Sequence, residues 1–441
     1  MKRTLIHELS DHIGKEVSVS GWVSIRRDQG KMVFIDLRDR SGTVQGVILP
    51  GKEAMAAGKE LRAEYVVRAQ GKVNKRPEKN VNLDVMNGDI ELEVENLEIL
   101  SVADTPFELG AEVNLDTYLD HQPYTLRSGR AREIFKLQET LIEAFRAALK
   151  AQDFTEFQAP AIVGGDAEGG AAAFEVNYHY GQKAFLATSP QFYKQIMVGV
   201  FERVFATPKV FRGEKHSTPR HLNEYSSMDF EMGFIKDHTE VMAVLETAVH
   251  AMVKEAEKAH AETLAAFNPD GLPLFREKIP ALKLRAAQKI LGVGEEPDLE
   301  PEHERGISEW AKREHQSDFV FITHYPVKKR PFYIYEDERD PGYTKSFDLL
   351  FRGLEITTGG QRIHDHGLLT ERIRERGFDP SKFGFYLEAF KAGMPPHGGS
   401  ATGLERITAR MLNLPNVKEA TLFPRDLNRI DTLLSTEEGE K

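Results

Sequence analysis

Alternating apolar and polar positions fill most of the first part of the chain. Five runs show this alternation: EVSVSGWVSIRR, MVFIDLRD, TVQGVILP, EYVVRAQGKV and DIELEVENLEIL. Turn signals such as DQGK, DRSG and MNGD separate them. A period of two is typical of strands that bury one face, so residues 1–103 are predicted to form a small antiparallel barrel or sandwich.

A helical period takes over after an irregular segment. Residues 104–128 lack periodicity, hold prolines, glycine and acids, and are predicted to be a linker. Beyond them, Leu137, Leu141 and Phe145 recur at a spacing of four, which predicts an amphipathic helix. A second long helix is predicted in HTEVMAVLETAVHAMVKEAEKAHAETL, and residues 265–320 have the composition of a helical insertion.

Strand character returns between these helices. It is seen in RVFATPKVFRGE, YSSMDFEMGFI, DFVFITHY and SFDLLFRGLEITTGGQRI, and in the short FQAPAIVG, where Pro160 is expected at a sheet edge or a strand end. Strands grouped with strands and flanked by helices predict an α+β domain over residues 129–441, with a mainly antiparallel sheet.

Composition and charge narrow the class of protein. The chain has 441 residues, 40% hydrophobic and 29% charged, which suits a soluble protein of two or three domains. It has no cysteine, which excludes disulfides, cysteine nucleophiles and thiolate metal sites. The start MKRTLIHELSDHIGKE has no apolar segment and no run of about 18 apolar residues occurs, so we expect a cytoplasmic protein without membrane contact. The net charge of −11 disfavours a nucleic-acid partner unless basic residues cluster on one face.

The stretch FRGEKHSTPRHLNEY is the first candidate for chemistry. On a strand, Arg212 and Glu214 point to one side, where an arginine fork can hold a phosphate and a carboxylate can accept from an exocyclic amine. The following loop would bring four basic side chains over the distal phosphates: Lys215, His216, Arg220 and His221. A salt-bridged hairpin facing water is the alternative.

A pair of acids in SFDLLFRGLEITTGGQRIH is the second candidate. Asp348 and Glu355 suit Mg²⁺, which takes few carboxylates and is completed by waters and substrate phosphates. Their odd separation would place them on opposite faces of one strand, so a bulge or turn near Gly353 is predicted if they converge. Two unrelated exposed acids are the alternative.

A glycine-dense turn, PPHGGSATGLERI, leads into a helix near Arg406. Glycines let the backbone approach a ligand, and a helix N-terminus favours an anion. The spacing matches neither of the common phosphate or dinucleotide motifs, so this signal is weak alone.

Basic and aromatic residues lie on the first two predicted strands, at Arg26, Arg27 and Phe34. Five strands in this length fit an OB-fold, whose sheet commonly binds single-stranded nucleic acid. Alternatively, Phe34 belongs to the core and the arginines form a solvated edge.

Taken in order, these segments resemble the class II aminoacyl-tRNA synthetases. FQAPAIVG resembles motif 1, FRGE with RHLNEY resembles motif 2, and GGSATGLER resembles motif 3. An OB domain ahead of the core points to the aspartyl, asparaginyl and lysyl subgroup. TSPQFYKQ and GGQRIH resemble the signatures of aspartyl-tRNA synthetases, and the length resembles the compact archaeal-type form.

The resemblance implies an ATP-dependent aspartate–tRNA ligase and a role for each matching residue. For aspartate it implies Lys194 and Arg362 at the side-chain carboxylate, with Glu168, Ser189, Gln191 and Asp229 around the amino group and α-carboxylate. For ATP it implies Arg212 at the α-phosphate, Glu214 at the adenine amine, Arg220 and His221 at the outer phosphates, Arg406 at the adenine face and γ-phosphate, and Asp348 and Glu355 as ligands of Mg²⁺. Glu168 lies among small residues that suit a mobile lid.

For tRNA(Asp), the resemblance implies that Phe34 stacks on the anticodon, with Arg26 and Gln45 near the same bases, so Phe34 would not be a core residue. A homodimer is expected through motif 1, at Pro160. Enzymes of this type that charge only tRNA(Asp) tend to carry a tryptophan shortly after GWV. Ser24 follows here, which favours charging of tRNA(Asn) as well.

Two alternatives remain. An asparaginyl enzyme is disfavoured by the lysine of SPQFYKQ, and a non-charging regulatory relative is disfavoured by Arg212 and Arg406. Pro219 and the run from Ser400 to Thr402 depart from the family pattern, which leaves the closure of the ATP loop over the phosphates as an open question.

Overall fold

The computed structural model describes residues 1–83, 85–165, 173–215, 218–269, 271–274 and 278–430. The chain divides into two compact units, Met1–Val113 and Asn114–Lys441. The division falls inside the segment 104–128 that was predicted as a linker. The second half of that segment is helical and belongs to the second unit.

The first unit is a closed barrel in which the strands follow the order β1-β2-β3-β5-β4. The strands are β1 (Glu16–Gln29), β2 (Met32–Arg38), β3 (Thr43–Ile48), β4 (Val66–Lys75) and β5 (Ile90–Ser101), with the helix α1 (Ala54–Glu60) between β3 and β4. Short 3₁₀ helices cover Ile6–His12 and Glu78–Asn80. The predicted OB-fold is confirmed, because each alternating run of the sequence supplies one strand.

Alternation on β2 separates the barrel core from its outer face. Val33, Ile35 and Leu37 are buried in the core, whereas Phe34 is half-buried and lies outside it. The interpretation of Phe34 as a core residue is therefore wrong.

The second unit carries α2 (Leu115–Asp120), α3 (Gln122–Thr125), α4 (Gly129–Lys150), α5 (Gln191–Phe201), α6 (His238–Ala259), α7 (Ala261–Phe267), α8 (Leu284–Leu291), α9 (Pro301–His315), α10 (His366–Glu375), α11 (Gly384–Lys391) and α12 (Leu404–Met411). Its 3₁₀ helices are His179–Gly181, Val327–Lys329, Pro380–Phe383 and Val417–Ala420. The long helix predicted from residue 238 breaks at His260, whose φ of −134° is not helical. Its ring Nε2 lies 2.8 Å from the hydroxyl of Thr140 on α4.

The strands of the second unit are β6 (Thr155–Glu156), β7 (Ile162–Val163), β8 (Glu175–Asn177), β9 (Lys183–Leu186), β10 (Arg203–Ala206), β11 (Lys209–Phe211), β12 (Glu224–Gly233), β13 (Ala281–Lys283), β14 (Phe319–Thr323), β15 (Ser346–Phe351), β16 (Leu354–Gln361) and β17 (His397–Gly403). In the described part of the chain, the main sheet has the order β13-β14-β15-β16-β17-β12-β10-β6, with β11 beside β12. Its inner pairs are antiparallel and its outermost pairs, β13-β14 and β10-β6, are parallel. The prediction of a mainly antiparallel sheet is confirmed.

The two faces of this sheet have different coverings. Helices α4, α6 and α12 pack on one face in a large core that includes Phe321 and Leu349. The next residues on the same strands, Ile322 and Leu350, pack against helices α8 and α9. Successive strand residues point to opposite faces, so α8 and α9 lie on the face opposite the large core.

The glycines of GGSATG form strand β17, and not the turn predicted from the sequence. A Cβ on Gly399 would lie 2.1 Å from the carbonyl oxygen of Phe230 and 2.2 Å from Oε2 of Glu231. The strand needs glycine there because a buried carboxylate lies against its backbone.

Pro160 lies in the loop between β6 and β7, so the strand predicted in FQAPAIVG is limited to Ile162–Val163 and Pro160 is not at a strand end. Its side chain is exposed, and β6 is the edge strand of the main sheet. None of the helices in the described residues is long and apolar enough to cross a membrane.

Candidate active site

Strand β12 places two acids on the face opposite the large core. Met228 and Phe230 point into that core, so Asp229 and Glu231 point the other way. Both carboxylates are fully buried. Buried charges must be paired to be tolerated, and each finds a cation.

Lys194 on α5 is the first cation. Its Nζ donates to Oδ2 of Asp229 at 2.8 Å and to the backbone carbonyl of Ser400 at 3.1 Å, and it lies 3.4 Å from Oε2 of Glu231. Ser227 donates to the other oxygen of Asp229. Each member of the Lys194–Asp229 pair therefore has a second hydrogen-bond partner that fixes its position.

Arg362, just after β16, is the second cation. It donates through Nε to Oε1 of Glu231 at 2.9 Å and through Nη2 to the carbonyl of Gly399 at 2.9 Å. Burial works against the ionised form of Glu231, but the charges of Arg362 and Lys194 outweigh it and hold the pKa of that carboxyl below its usual value. Two cations and two anions therefore balance here.

Glu231 was not among the predicted site residues, although the sequence carries a signal for it. Asp229 and Glu231 are two residues apart on a predicted strand, which places both on one face. Acids at that spacing in an otherwise apolar strand indicate a buried polar site.

A chain of neutral groups continues the pocket beside these charges. Gln191, whose backbone N–H donates to Oγ of Ser189 at 3.2 Å, donates through its side chain to Gln195 at 2.9 Å. Gln195 also accepts from the hydroxyl of Tyr386 at 3.0 Å, and its amide nitrogen lies 2.9 Å from Nε2 of His397.

The partners of His397 define its tautomer. Its Nδ1 lies 2.9 Å from the carbonyl of Pro395, so Nδ1 carries the proton and Nε2 accepts from Gln195. Burial lowers the pKa of His397 to about 4, so the ring is neutral at pH 7. Hydrogen bonds and ion pairs thus connect the predicted residues Ser189, Gln191, Lys194, Asp229 and Arg362 in one group, which is called the pocket here. Glu168 lies outside the described residues.

The motif FRGE lies at the end of β11. Arg212 lies with its Nη1 4.0 Å from Oε1 of Glu214, and its guanidinium carbon is 5.7 Å from the centre of the Tyr225 ring. Both side chains of the pair are about one third exposed. Asn223 donates to the backbone carbonyls of Arg212 and Glu214 at 2.5 and 3.3 Å and so closes the loop between them.

In the RH pair of the same loop, Arg220 has a distant partner and His221 a local one. Arg220 donates through Nη2 to both oxygens of Glu304, at 2.9 and 2.6 Å. Nδ1 of His221 lies 2.6 Å from the hydroxyl of Thr218. Burial raises the pKa of Glu304 to about 7, against the opposing charge of Arg220. No local pattern identifies Glu304, because its pairing with Arg220 spans 84 residues.

The hairpin of β15 and β16 brings Asp348 and Glu355 together. Arg352 and Gly353 form the turn with positive φ, and the strand register shifts after Leu349, which confirms the predicted bulge or turn. Loss of water, and then the charge of Asp348, raise the pKa of Glu355 above its usual value. Two carboxylates that repel one another mark a place for a cation.

Oδ2 of Asp348 accepts from Arg330 at 2.7 Å, whereas its Oδ1 is buried without a hydrogen-bond partner among the described residues. That oxygen and the nearby Glu355 fit a hard divalent cation, which prefers carboxylate ligands. Within the described residues there is no cluster of three or more His, Asp or Glu side chains that could hold a metal by itself. Any cation here would need further ligands from substrate or water.

Arg406 in the first turn of α12 reaches the same place. Its Nη1 donates to the backbone carbonyl of Glu355 at 2.9 Å and lies 3.7 Å from the Oε1 of that residue. Arg406, Arg220 and Arg330 therefore surround the pair of acids with positive charge.

A cluster of polar side chains around Arg27 lies on the outer face of the barrel. Arg27 donates to both oxygens of Asp36 at 3.0 and 2.8 Å and to Gln45 at 3.4 Å, and it pairs across the strands with Phe34. Arg26 instead donates to the carbonyl of Gly58 at 3.2 Å, so the structure does not bring it together with Phe34.

The pairing of β1 with β2 shifts by one residue between Val23 and Ile25, and this shift explains why Arg27, and not Arg26, lies beside Phe34. Ser24 is the extra residue of the shift. One extra residue turns every later side chain on β1 to the other face, and no turn or glycine signal marks its place.

Comparisons with known proteins agree with this geometry. The family of class II tRNA synthetases (D, K and N) matches residues 114–427, and the OB-fold nucleic acid binding domain matches residues 17–100. The chain is 44% identical to a Thermus thermophilus protein named aspartate–tRNA(Asp/Asn) ligase, over 97% of this chain and 99% of that protein. It is 37% identical to the aspartate–tRNA(Asp) ligase of Thermococcus kodakarensis, over 95% of this chain and 96% of that one.

Solved structures are similar over almost the full chain as well. An asparaginyl-tRNA synthetase from Pyrococcus horikoshii, complexed with asparaginyl-adenylate, has a TM-score of 0.89 at 31% identity and covers 98% of this chain and 99% of that one. A putative aspartyl-tRNA synthetase from Leishmania major has a TM-score of 0.88 at 30% identity, with 97% and 94% covered. The chain therefore belongs to the class II tRNA synthetases of the D, K and N group, with an OB-fold nucleic acid binding domain ahead of the synthetase domain.

Proposed function

We propose that the protein is an aspartate–tRNA ligase, which activates L-aspartate with ATP and transfers it to tRNA(Asp). The observation that carries this proposal is the buried pair of cations, Lys194 and Arg362, beside the other pocket residues. Nη1 of Arg362 donates no hydrogen bond to any described residue, so it is available for a substrate carboxylate. Asparagine would present an amide donor there, and the lost charge-assisted bond of roughly 1.5–3 kcal/mol favours aspartate.

Asp229 and Gln191 support the other end of the amino acid. Asp229 offers negative charge to the substrate ammonium, and Gln191, Ser189 and Glu168 complete the surroundings of the amino group and α-carboxylate. The zwitterion is thus bound by groups of opposite charge at each end, which fixes its direction in the pocket.

Activation joins the amino acid to the α-phosphorus. The α-carboxylate oxygen forms the new P–O bond while the bond to the leaving pyrophosphate breaks, and no general base is needed because the nucleophile is already ionised. Arg212 stabilises charge on the α-phosphate, and Arg220, His221 and Arg406 contact the outer phosphates. Mg²⁺, held by Asp348 and Glu355 when bound, would supply positive charge to the phosphate oxygens. Glu214 accepts from the adenine amine, and Arg406 lies against the adenine face.

Transfer uses the same carboxyl group. A terminal ribose hydroxyl of the tRNA attacks the carbonyl carbon of the adenylate, and AMP leaves. Lys194 and Arg362 hold the side chain throughout, so that only the α-carboxyl reacts.

Pyrophosphate exchange with each amino acid tests the activity. We expect exchange with aspartate and at least tenfold less with asparagine. Exchange driven by asparagine or lysine, with none for aspartate, would refute the proposal. A non-charging relative would form no aspartyl-tRNA(Asp), and the presence of both Arg212 and Arg406 disfavours that alternative.

The outer face of the barrel is proposed to bind the anticodon. Phe34 is half-buried outside the core, where a base can stack on it, and Gln45 lies on the neighbouring strand. Arg27 is the arginine beside them, so we expect R27A to weaken anticodon binding more than R26A. Stacking is worth roughly 1–3 kcal/mol per base, and F34A should raise the KM for tRNA accordingly.

Charging of tRNA(Asn) is proposed in addition. Three relatives at 40–44% identity are named aspartate–tRNA(Asp/Asn) ligases, and Ser24 lies at the register shift of β1, where the expected tryptophan is missing. Purified tRNA(Asn) transcripts decide this point. No aspartylation above a tRNA-free control would refute it.

A homodimer through the motif 1 segment is also proposed. Pro160 is exposed beside the two-residue edge strand β6, and the side chain of Ile162 is 49% exposed. Sedimentation should give a dimer at micromolar concentration, and a monomer would contradict this proposal.

A further inference from the structure

Helix α9 forms a wall of the candidate phosphate region. Ile307 and Ala311 pack with Val320 and Ile322 of β14 on the face of the sheet opposite the large core. Pro301 begins the helix, which suits the first helical position, where no backbone donor is needed. The first turn of α9 is therefore fixed, and with it the buried side chain of Glu304.

Glu304 engages only one nitrogen of the Arg220 guanidinium. Both hydrogen bonds come from Nη2, at 2.9 and 2.6 Å. Nη1 and Nε of Arg220 donate no hydrogen bond to any described residue. Because only one nitrogen of the guanidinium is used, the N–H groups of the other two remain for a second anion. A bidentate pair would have used two of the three nitrogens.

The backbone on the other side of Arg220 is held as well. The carbonyl of Pro219 accepts from the N–H of Val417 at 2.9 Å, and the N–H of Arg220 donates to the hydroxyl of Thr218 at 3.3 Å. The main chain and the far end of the side chain are thus both anchored. The guanidinium can swing only over a short range.

The surroundings identify the second anion by its chemistry. The charges of Arg220 and Arg406 both act on Glu304. Arg410, one helical turn after Arg406, is near enough for its pKa to be lowered first by burial and then by Arg220. Three arginines thus lie close together, and the acids among them are Glu304 and Glu355. This arrangement suits a polyphosphate better than a single carboxylate.

We propose that Glu304 is a positioning residue, which holds Arg220 so that its open donors face the outer phosphates of ATP and the departing pyrophosphate. This inference rests on the proposed role of Arg220 at those phosphates. Glu304 itself touches no reacting atom. Its effect is on the binding of ATP and not on that of aspartate.

Steady-state pyrophosphate exchange on the full chain tests the inference. E304A should raise the KM for ATP roughly tenfold, the scale of one charge-assisted hydrogen bond, and leave the KM for aspartate unchanged. E304Q keeps one acceptor oxygen and should lie in between. E309Q, at an exposed glutamate of the same helix, is the matched control and should change neither constant.

A double-mutant cycle separates positioning from a general structural role. If Glu304 acts through Arg220, then E304A adds little to the KM for ATP once R220M is present. Equal rises in both KM values, or a full further rise in the R220M background, would overturn the inference. So would an unchanged KM for ATP in E304A.

The same set distinguishes failure of the proposed function. If R220M leaves the KM for ATP unchanged, the phosphate role of Arg220 is wrong whatever Glu304 does. If R220M raises it and E304A does not, only the positioning role fails. Calorimetric titration of ATP into the same variants gives the binding constants directly, so the comparison holds even for a variant with little activity.

Discussion

The candidate amino-acid pocket and the candidate phosphate region lie on the same sheet but are built differently. In the pocket, Lys194 and Arg362 are paired with Asp229 and Glu231, and all four side chains are at most 4% exposed. The phosphate region is partly open, and its two acids are close enough for repulsion to raise the pKa of Glu355. In the pocket each buried charge is paired at close range, whereas in the phosphate region Glu355 is still repelled by Asp348.

This difference determines whether a substitution affects folding as well as activity. Removing one member of a buried, balanced set leaves an unpaired charge, so the pocket should be costly to disturb for folding as well as for activity. In the phosphate region Asp348 is paired with Arg330 at 2.7 Å, whereas the carboxylate of Glu355 lies 3.7 Å from Arg406 and is repelled by Asp348. Removing the charge of Glu355 should therefore reduce activity while leaving folding unharmed.

The largest expected effect follows from R362M. It leaves Glu231 buried with Lys194 3.4 Å away as its remaining cation, and it should reduce the free energy of unfolding by about 3–5 kcal/mol. The double variant R362M/E231Q should recover a large part of that loss and still fail to activate aspartate. If the double variant were as unstable as R362M, the balanced charge would not be the cause.

Tryptophan fluorescence can follow this unfolding in one unit at a time. The chain has two tryptophans, Trp22 in the barrel and Trp310 on α9 of the second unit. In a W22F background, Trp310 alone reports urea denaturation of the unit that holds both regions.

The variant E355Q tests the other half of the comparison. The raised pKa of Glu355 means that its negative charge is unfavourable in the folded protein. Removing this charge should therefore leave the stability at pH 7 unchanged or raise it slightly. The exchange rate should fall by about 10²–10³-fold, the scale seen when one charge-stabilising group is removed. D348N is the contrast, because it also removes the negative charge that is paired with Arg330 at 2.7 Å and should destabilise. A large loss of stability in E355Q would remove the distinction between the two regions.

Which parts of this comparison were accessible from the sequence depends on the range of the interactions. The barrel strands and the hairpin of β15 and β16 follow from alternation and turn residues, which act over a few positions. Glu231 could have been found from its spacing to Asp229. Glu304 could not, because its pairing with Arg220 spans 84 residues and arises from the packing of α9.

Two local features could not be predicted from the sequence either. The register shift at Ser24 exchanges Arg26 for Arg27 beside Phe34, and the glycines of β17 were interpreted as a turn. Bulges are set by pairing with the neighbouring strand, and Gly399 is needed because of the side chain of Glu231 on another strand. In both cases the cause lies in a partner that is distant in sequence.

Acid should weaken the pocket through the buried ring of His397. His397 has a pKa of about 4 in the fold, below the usual 6.5, so the unfolded chain binds a proton that the folded one refuses. Stability is then complete above pH 6.5 and falls as the pH drops from 6.5 to 4, by about 3 kcal/mol for this one group. Glu355, with a raised pKa, contributes in the opposite direction.

Urea denaturation of H397Q between pH 7 and 4 measures this term. Gln supplies an acceptor where Nε2 accepts from Gln195, and it does not titrate, so the slope of stability against pH should be smaller. His238, whose pKa burial also lowers to about 4, should provide the slope that remains. An unchanged slope in H397Q would mean that the ring is not held neutral by burial.

The smallest effect is expected at Pro219, where the chain departs from the family pattern. Its carbonyl accepts from Val417 at 2.9 Å, and this contact uses the backbone, which any residue provides. P219S should therefore change the KM for ATP by less than about threefold and stability by under about 1 kcal/mol, the scale of a lost proline restraint. Exchange kinetics and denaturation of P219S beside E304A check the order. If P219S raised the KM for ATP as much as E304A, the loop would depend on the stiffness of its backbone rather than on the anchor at Glu304.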